Sequence, residues 1–207
     1  MAVGVLEVKE TVRRLSEIII ENEVYFCDLD SVAGDGDFGA SIAKGFREVL
    51  KEIDDIDTDS ISSFIRGCAM IIMEHCGGAS GPIWGSAFMA ASRSVKGKEN
   101  LEVSDIAEMF DAGVAGIQKR GGAKQGDKTL LDALIPATEA LQKAGEEGKD
   151  VKEAFADATK AAQEGAEYTK TIVAAKGRAS YLGDRSLNHP DAGAMAIGVI
   201  MKELTEG

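Results

Sequence analysis

Cysteine is scarce in this 207-residue sequence, and its spacing suits no framework. Cys27, Cys68 and Cys76 make an odd count without a CxxC pair. That argues against a disulfide scaffold or a zinc site and fits reduced, buried thiols in a cytoplasmic protein. No apolar run is long enough to span a membrane, and no basic start with an apolar run behind it marks a signal peptide. Basic residues are outnumbered: 23 Lys and Arg face 35 Asp and Glu, a formal net charge of −12. Nucleic acid and anionic membranes are poor partners for such a chain, because both need a basic face. To handle phosphates it would need metal cations. Only two histidines occur, His75 and His189, and neither has triad-like or ligand-like company. The single tryptophan, Trp84, reads as core. Alternating strands are missing as well; the best strand-like run is "VYFC" at 24–27.

Helical periodicity is abundant. Val8, Val12, Leu15 and Ile19 form one stripe, and Ile61, Phe64, Ile65, Cys68, Ile71 and Ile72 form another that Asp59 or Ser60 can cap. Further helices are expected from about Ala40 to Lys51, after Pro82 to about Val95, and from Ser104 to Lys119. Others should run from Thr129 to Ala144 with Pro136 inside, from Val151 to about Ala175, and from Pro190 to Leu204. The expectation is all-α: eight helices in one domain, residues 1–207, with glycine-rich connections.

The segment "DLDSVAGDGDFGAS", 28–41, puts Asp28, Asp30, Asp35 and Asp37 within ten positions and threads Gly34, Gly36 and Gly39 through the stretch. On a helix, Asp30 and Asp35 would diverge by roughly 140° and Asp35 and Asp37 by roughly 200°. A loop made pliable by Gly34, Gly36 and Gly39 can turn the carboxylates inward instead. Oxygen ligands without histidine or cysteine favour a hard cation, Mg²⁺ first and Ca²⁺ second. An EF-hand register fails, since Val32 and Phe46 fall where ligands belong. "VYFCDLDSV" also resembles the strand-plus-DxDx[TV] opening of haloacid-dehalogenase-type phosphatases, with Asp28 as nucleophile and Asp30 as acid. The helical remainder of the chain speaks against it.

Three more glycine-rich turns open helices. "HCGGASGPIWG" (75–85) offers free N–H groups and the Ser80 hydroxyl to an anion. "KRGGAKQGDKT" (119–129) adds cations, and "KGRASYLGDRSLNHPDAGA" (176–194) adds Arg178 and Arg185. Together they offer what a nucleotide phosphate site needs on an acidic protein.

"GDGDFG", "GGASGP", "GDKTLLDAL" and "GRASYLGDRS" together resemble the nucleotide-binding L subunits of bacterial dihydroxyacetone kinases, over about residues 5–204. The resemblance implies an eight-helix antiparallel barrel holding ADP or ATP with two Mg²⁺ at one end. It implies Asp30, Asp35 and Asp37 as metal ligands. It places Phe38, Gly39, Ala40 and Ser41, then Ala79 and Ser80, at the phosphates. Gly121, Thr129, Leu130, Arg178 and the turn Asp191, Ala192, Gly193 complete the pocket. Catalysis would then rest on Asp30, Asp35, Asp37 and Arg178. A K-type partner subunit would hold a short ketose through its own histidine, and a phosphohistidine-bearing M-type subunit could recharge bound ADP. Two positions depart from the family's pattern: Phe38 stands where histidine is usual, and Ser41 where asparagine is common. The alternative expectation is a non-catalytic module that reports its ADP/ATP state to a regulator.

Overall fold

Nine α-helices account for most of residues 3–206, which a computed structural model of the chain describes; residues 1, 2 and 207 of the expected domain lie outside them. They are α1 (Val5–Glu21), α2 (Glu23–Ser31), α3 (Phe38–Glu52), α4 (Ile61–His75), α5 (Ser80–Ser94), α6 (Val103–Gly121), α7 (Leu131–Glu146), α8 (Val151–Tyr168) and α9 (Ala192–Glu206). Two 3-10 segments, Thr169–Thr171 and Arg178–Ser186, lie between α8 and α9. No strand occurs among the described residues; a lone bridge pairs Val3 with Leu101. None of these helices is long and apolar enough to cross a membrane.

The predicted stripes become the core. Val8, Val12 and Ile19 are buried on α1, and Ile61, Phe64, Ile65, Cys68 and Ile72 on α4. Ser60 caps α4 as expected, its side chain accepting from Ser63 N at 3.0 Å. On α8, Ala154, Ala158, Ala162 and Ala166 bury one small-residue stripe. A Cβ at Gly165 would stand 2.1 Å from the Asp132 carbonyl, so only glycine lets α8 lie this close to α7.

Packing follows a closed ring. Each helix from α3 to α9 lies against its chain neighbours, and α1 closes the circle between α3 and α9. An apolar cavity of about 270 Å³, reached by Val12, Trp84, Phe88, Phe110 and Met201, lies inside. This is the all-α antiparallel barrel the sequence led us to expect, with nine α-helices among the described residues rather than eight, because 23–31 adds α2.

Two expectations change. "VYFC" is helical: it forms the middle of α2, with Phe26 fully buried against α3. Four apolar residues in a row do not separate strand from buried helix. The break is at Asn22, whose amide donates to the Ile18 carbonyl at 3.0 Å and ends α1 there. With Asp28 and Asp30 on a helix, the strand-plus-DxDx[TV] reading has no strand to stand on. The last quarter or so of the expected helix to Ala175, beyond Tyr168, is also lost. Thr169 and Thr171 turn their hydroxyls onto the carbonyls three residues back, at 2.6 and 2.8 Å, in competition with the helix ladder.

Candidate functional site

The ring has two unlike ends. Helices α2, α4, α6 and α8 run toward one end, and α3, α5, α7 and α9 start from it. There Asp30, Phe38, Ser80, Leu130 and Ala192 border one cavity of about 300 Å³. Helix starts expose N–H groups without intrahelical partners and carry the positive end of the helix dipole. At this end Asp37, Ala79 and Leu130, the N-cap residues of α3, α5 and α7, give no side-chain cap. At the other end Ser60 and Asp150 cap α4 and α8. The N-cap side chains of α3, α5 and α7 thus leave the cavity side open, although the Ala40 and Leu131 N–H groups find Cys27 Sγ and Thr129 Oγ1 and Asp191 caps α9.

The carboxylates sit at the cavity's edge. Asp30 is in the last turn of α2, Asp37 precedes α3, and Asp35 lies in the turn between them. One oxygen from each lies within 4.8 Å of the others, a grouping that Asp28 does not join. The turn is shaped for this. Gly36, at φ +75°, donates its N–H to Asp30 Oδ2 at 2.9 Å. A Cβ on Gly34 would stand 2.2 Å from Asp30 Oδ1. Three convergent hard oxygen donors, with room kept by a glycine, fit a divalent cation such as Mg²⁺. A cation already answers them in part: the Arg178 guanidinium forms an ion pair with Asp35.

Across the cavity lies the turn before α9. Asp191 Oδ2 accepts from Ala194 N at 2.8 Å. The residue as a whole is half-buried, but its carboxyl faces inward, and that burial pushes it up to about 7; Asp132 adds to the rise and Lys128 opposes it. A Cβ on Gly193 would lie 3.2 Å from that of Leu130, so this turn packs tightly on the start of α7.

Most of the residues singled out in the sequence come together. Asp30, Asp35, Asp37, Phe38, Ser41, Ala79, Ser80, Thr129, Leu130, Arg178, Asp191, Ala192 and Gly193 all line the cavity. Gly39, Ala40 and Gly121 do not. Gly39 is buried against α2, and Ala40 is exposed with its N–H on Cys27 Sγ at 3.3 Å. Gly121 ends α6 behind Ile83, which does line the cavity. Neither histidine borders it; Trp84 does, while remaining 8% exposed with its ring edge on Phe46. Sequence reasoning missed Lys128 and Asp132. Asp132, 1% exposed, accepts from Gly126 N at 2.5 Å and Thr129 N at 2.8 Å and so fixes the loop before α7. Lys128 is 2% exposed, and burial lowers its pKa. It was hidden as one of several cations in a glycine-rich loop read as offering positive charge to phosphates.

Residues 32–206 match the family described as the DAK2 domain. The chain belongs to the DAK2 domain family. Among relatives, this DAK2 domain is 37% identical over 194 residues to the ADP-binding subunit DhaL of PEP-dependent dihydroxyacetone kinase 2 from Listeria innocua, covering 93% of this chain and 89% of that one. It is 32% identical over 204 residues to the ADP-binding subunit DhaL of the Escherichia coli PEP-dependent dihydroxyacetone kinase, covering 99% and 97%. The crystal structure of the C. freundii dihydroxyacetone kinase in complex with AMP-PNP and Mg²⁺ superposes with a TM-score of 0.77 at 25% identity, over 100% of this chain and 34% of that one.

Proposed function

We propose that this chain is the Mg-nucleotide-binding subunit of a dihydroxyacetone-type kinase. It would pass the γ-phosphoryl of bound ATP to dihydroxyacetone or a similar short ketose held by a K-type partner. One observation carries the reading: three uncapped helix starts and a carboxylate trio border the same cavity, on a protein of net charge −12. Uncapped N–H groups want an anion, and clustered carboxylates want a cation; a metal-bound polyphosphate supplies both. The naming of the relatives as ADP-binding subunits supports the nucleotide, and the AMP-PNP and Mg²⁺ of the C. freundii complex support the pair.

In this reading Asp30, Asp35 and Asp37 hold Mg²⁺, two ions by family resemblance. When bound, the metal supplies charge neutralisation on the terminal phosphates. The chain's own groups do the rest. The starts of α3 and α5, with Ser41 and Ser80, orient the phosphates. Arg178 leaves Asp35 for the phosphate oxygens, where its planar fork stabilises charge that grows in the transition state. Leu130 and the Asp191–Gly193 turn enclose the remainder of the nucleotide. In this reading the partner anchors the ketose and takes up the acceptor's proton. Recharging by an M-type subunit fits a nucleotide held as a cofactor.

Titration calorimetry with Mg-ADP tests the site. The wild-type chain should bind, and Asp35→Ala should bind at least about 100-fold more weakly, since a charged interaction worth about 3 kcal/mol is lost, with helicity unchanged by circular dichroism. Equal affinity in the two proteins would sink the proposal. A coupled assay should show no turnover of dihydroxyacetone by the chain alone and turnover after a K-type subunit is added.

A further inference from the structure

Residues 173–188 form a strap over the mouth of the cavity. It carries Arg178, yet it is poorly packed: of its residues only Ala174 and Ser186 are buried. Gly177 and Gly183 take left-handed backbone angles, φ +66° and +55°. A segment with so little buried surface does not hold a guanidinium in place by its own packing.

Both feet of the strap meet at one side chain. Lys128 Nζ donates to the carbonyls of Thr169 at 2.5 Å and Ile172 at 3.2 Å, just before the strap, and to that of His189 at 2.7 Å, just after it. An ammonium has three N–H donors, so all are spent on main-chain oxygens and none remains for a phosphate. Neighbouring bonds complete the joint. Ala175 N donates to the Asp127 carbonyl at 3.0 Å, Asn188 N to the Lys170 carbonyl at 2.8 Å, and Asp191 N to Thr169 Oγ1 at 2.9 Å. Lys128 also holds a left-handed backbone, φ +61°. For a residue with a Cβ that conformation costs about 1–2 kcal/mol, a strain that glycine would avoid, but without the ammonium.

We propose that Lys128 is a positioning residue: its ammonium staples the two feet of the 173–188 strap together, and through that staple it fixes Arg178 over the carboxylate trio. The inference rests on the nucleotide reading for its consequence in binding, and on the strap geometry alone for its consequence in order. Lys128 touches no phosphate itself. Its loss acts through Arg178.

The test uses Lys128→Met, Arg178→Gln and the double variant of the full chain. Two quantities are read: the Mg-ADP dissociation constant, and the rate of tryptic cleavage at Lys176, Arg178 and Arg185 without ligand, cleavage at Arg178 being compared only where it is retained. Loss of charged hydrogen bonds should raise the Lys128→Met cleavage rate and its dissociation constant by at least about tenfold each. The double variant should bind no more weakly than Arg178→Gln alone, because both changes remove one contact. A purely structural lysine would give additive losses, and additivity overturns the proposal, as does a strap cleaved at the wild-type rate. If Lys128→Met does not fold, Lys128→Arg is measured instead, since its flat guanidinium keeps the charge but cannot reach three converging carbonyls. Loss of helicity in both variants would also overturn the proposal, by assigning the lysine to the whole fold. If the wild-type chain binds no Mg-ADP, the nucleotide reading falls, and the cleavage rates still decide the staple.

Discussion

A single methyl group tests how tightly the site is tied to the barrel. Gly39 follows Phe38 in the first turn of α3, where α3 crosses α2. A Cβ built there would stand 2.0 Å from the Glu23 carbonyl oxygen and 2.9 Å from Cys27 N. Both are main-chain atoms, so no rotamer change relieves the clash and the helices must part. Overpacking of this kind costs about 1–3 kcal/mol, which for a chain of this size lowers Tm by about 3–10 °C. Parting α3 from α2 also draws Asp37 and Ser41 away from Asp30. Gly39→Ala should therefore weaken Mg-ADP binding by at least about tenfold. Gly113 provides the contrast. It lies inside α6, where an added Cβ meets nothing nearer than the Ala87 carbonyl at 3.7 Å. There the same substitution removes backbone freedom from the unfolded chain and should stabilise by about 0.5–1 kcal/mol. Differential scanning calorimetry on both variants gives the signs. A Gly39→Ala melt equal to wild type would refute the close-crossing argument; a fall for both would show that any methyl, not this contact, is the cause.

Two further outcomes are expected. Asp191 has its carboxyl raised by burial to about 7 from the usual 3.8, so the folded state resists its ionisation, and the chain loses stability as pH rises from about 4 to 7, by at most about 4 kcal/mol. Ligand-free Asp191→Asn removes that loss: urea midpoints of wild type and variant should diverge between pH 5 and pH 8 in the variant's favour, and parallel profiles would refute the assignment. Phe38 borders the cavity while its ring packs 6.2 Å from that of Phe26. In the nucleotide reading Phe38→His gives up part of that contact for a donor toward the phosphates, so Tm should fall while the Mg-ADP dissociation constant drops about tenfold; unchanged or weaker binding would remove the idea of a missing contact.

Apolar spacing made the barrel readable. Stripes such as Val8, Val12, Ile19 and Ile61, Phe64, Ile65 had one burial solution each, and their capping residues stand in sequence order. The carboxylate trio was readable for a similar reason, since Gly34 and Gly36 interrupt any helix between Asp30 and Asp37. Local pattern failed where a distant contact decides. "VYFC" has strand-like composition, and only burial of Phe26 between helices makes it helical. Lys128 looked like one more loop cation available to phosphates, because its three carbonyl partners lie 41 to 61 residues further along the chain. Gly39 was legible as a site residue by motif, yet its visible role is to let two helices cross.

The contrast between the two ends of the ring has an energetic meaning. A side-chain cap is worth about 1 kcal/mol. Ser60 and Asp150 supply it at the far end, while Asp37, Ala79 and Leu130 forgo it at the cavity. The acidic trio adds repulsion at the same end, relieved in part by the Arg178 ion pair. Stability has therefore been withheld where a ligand can restore it. A metal-bound polyphosphate would meet the uncapped N–H groups, neutralise the carboxylates and take over Arg178 in one event. At 100-fold excess over Kd such a ligand contributes about 2.7 kcal/mol to stability by mass action alone. In that reading binding and folding are coupled by the placement of caps: α3, α5 and α7 leave the cavity with no side-chain cap at their starts, whereas α9 already has one in Asp191.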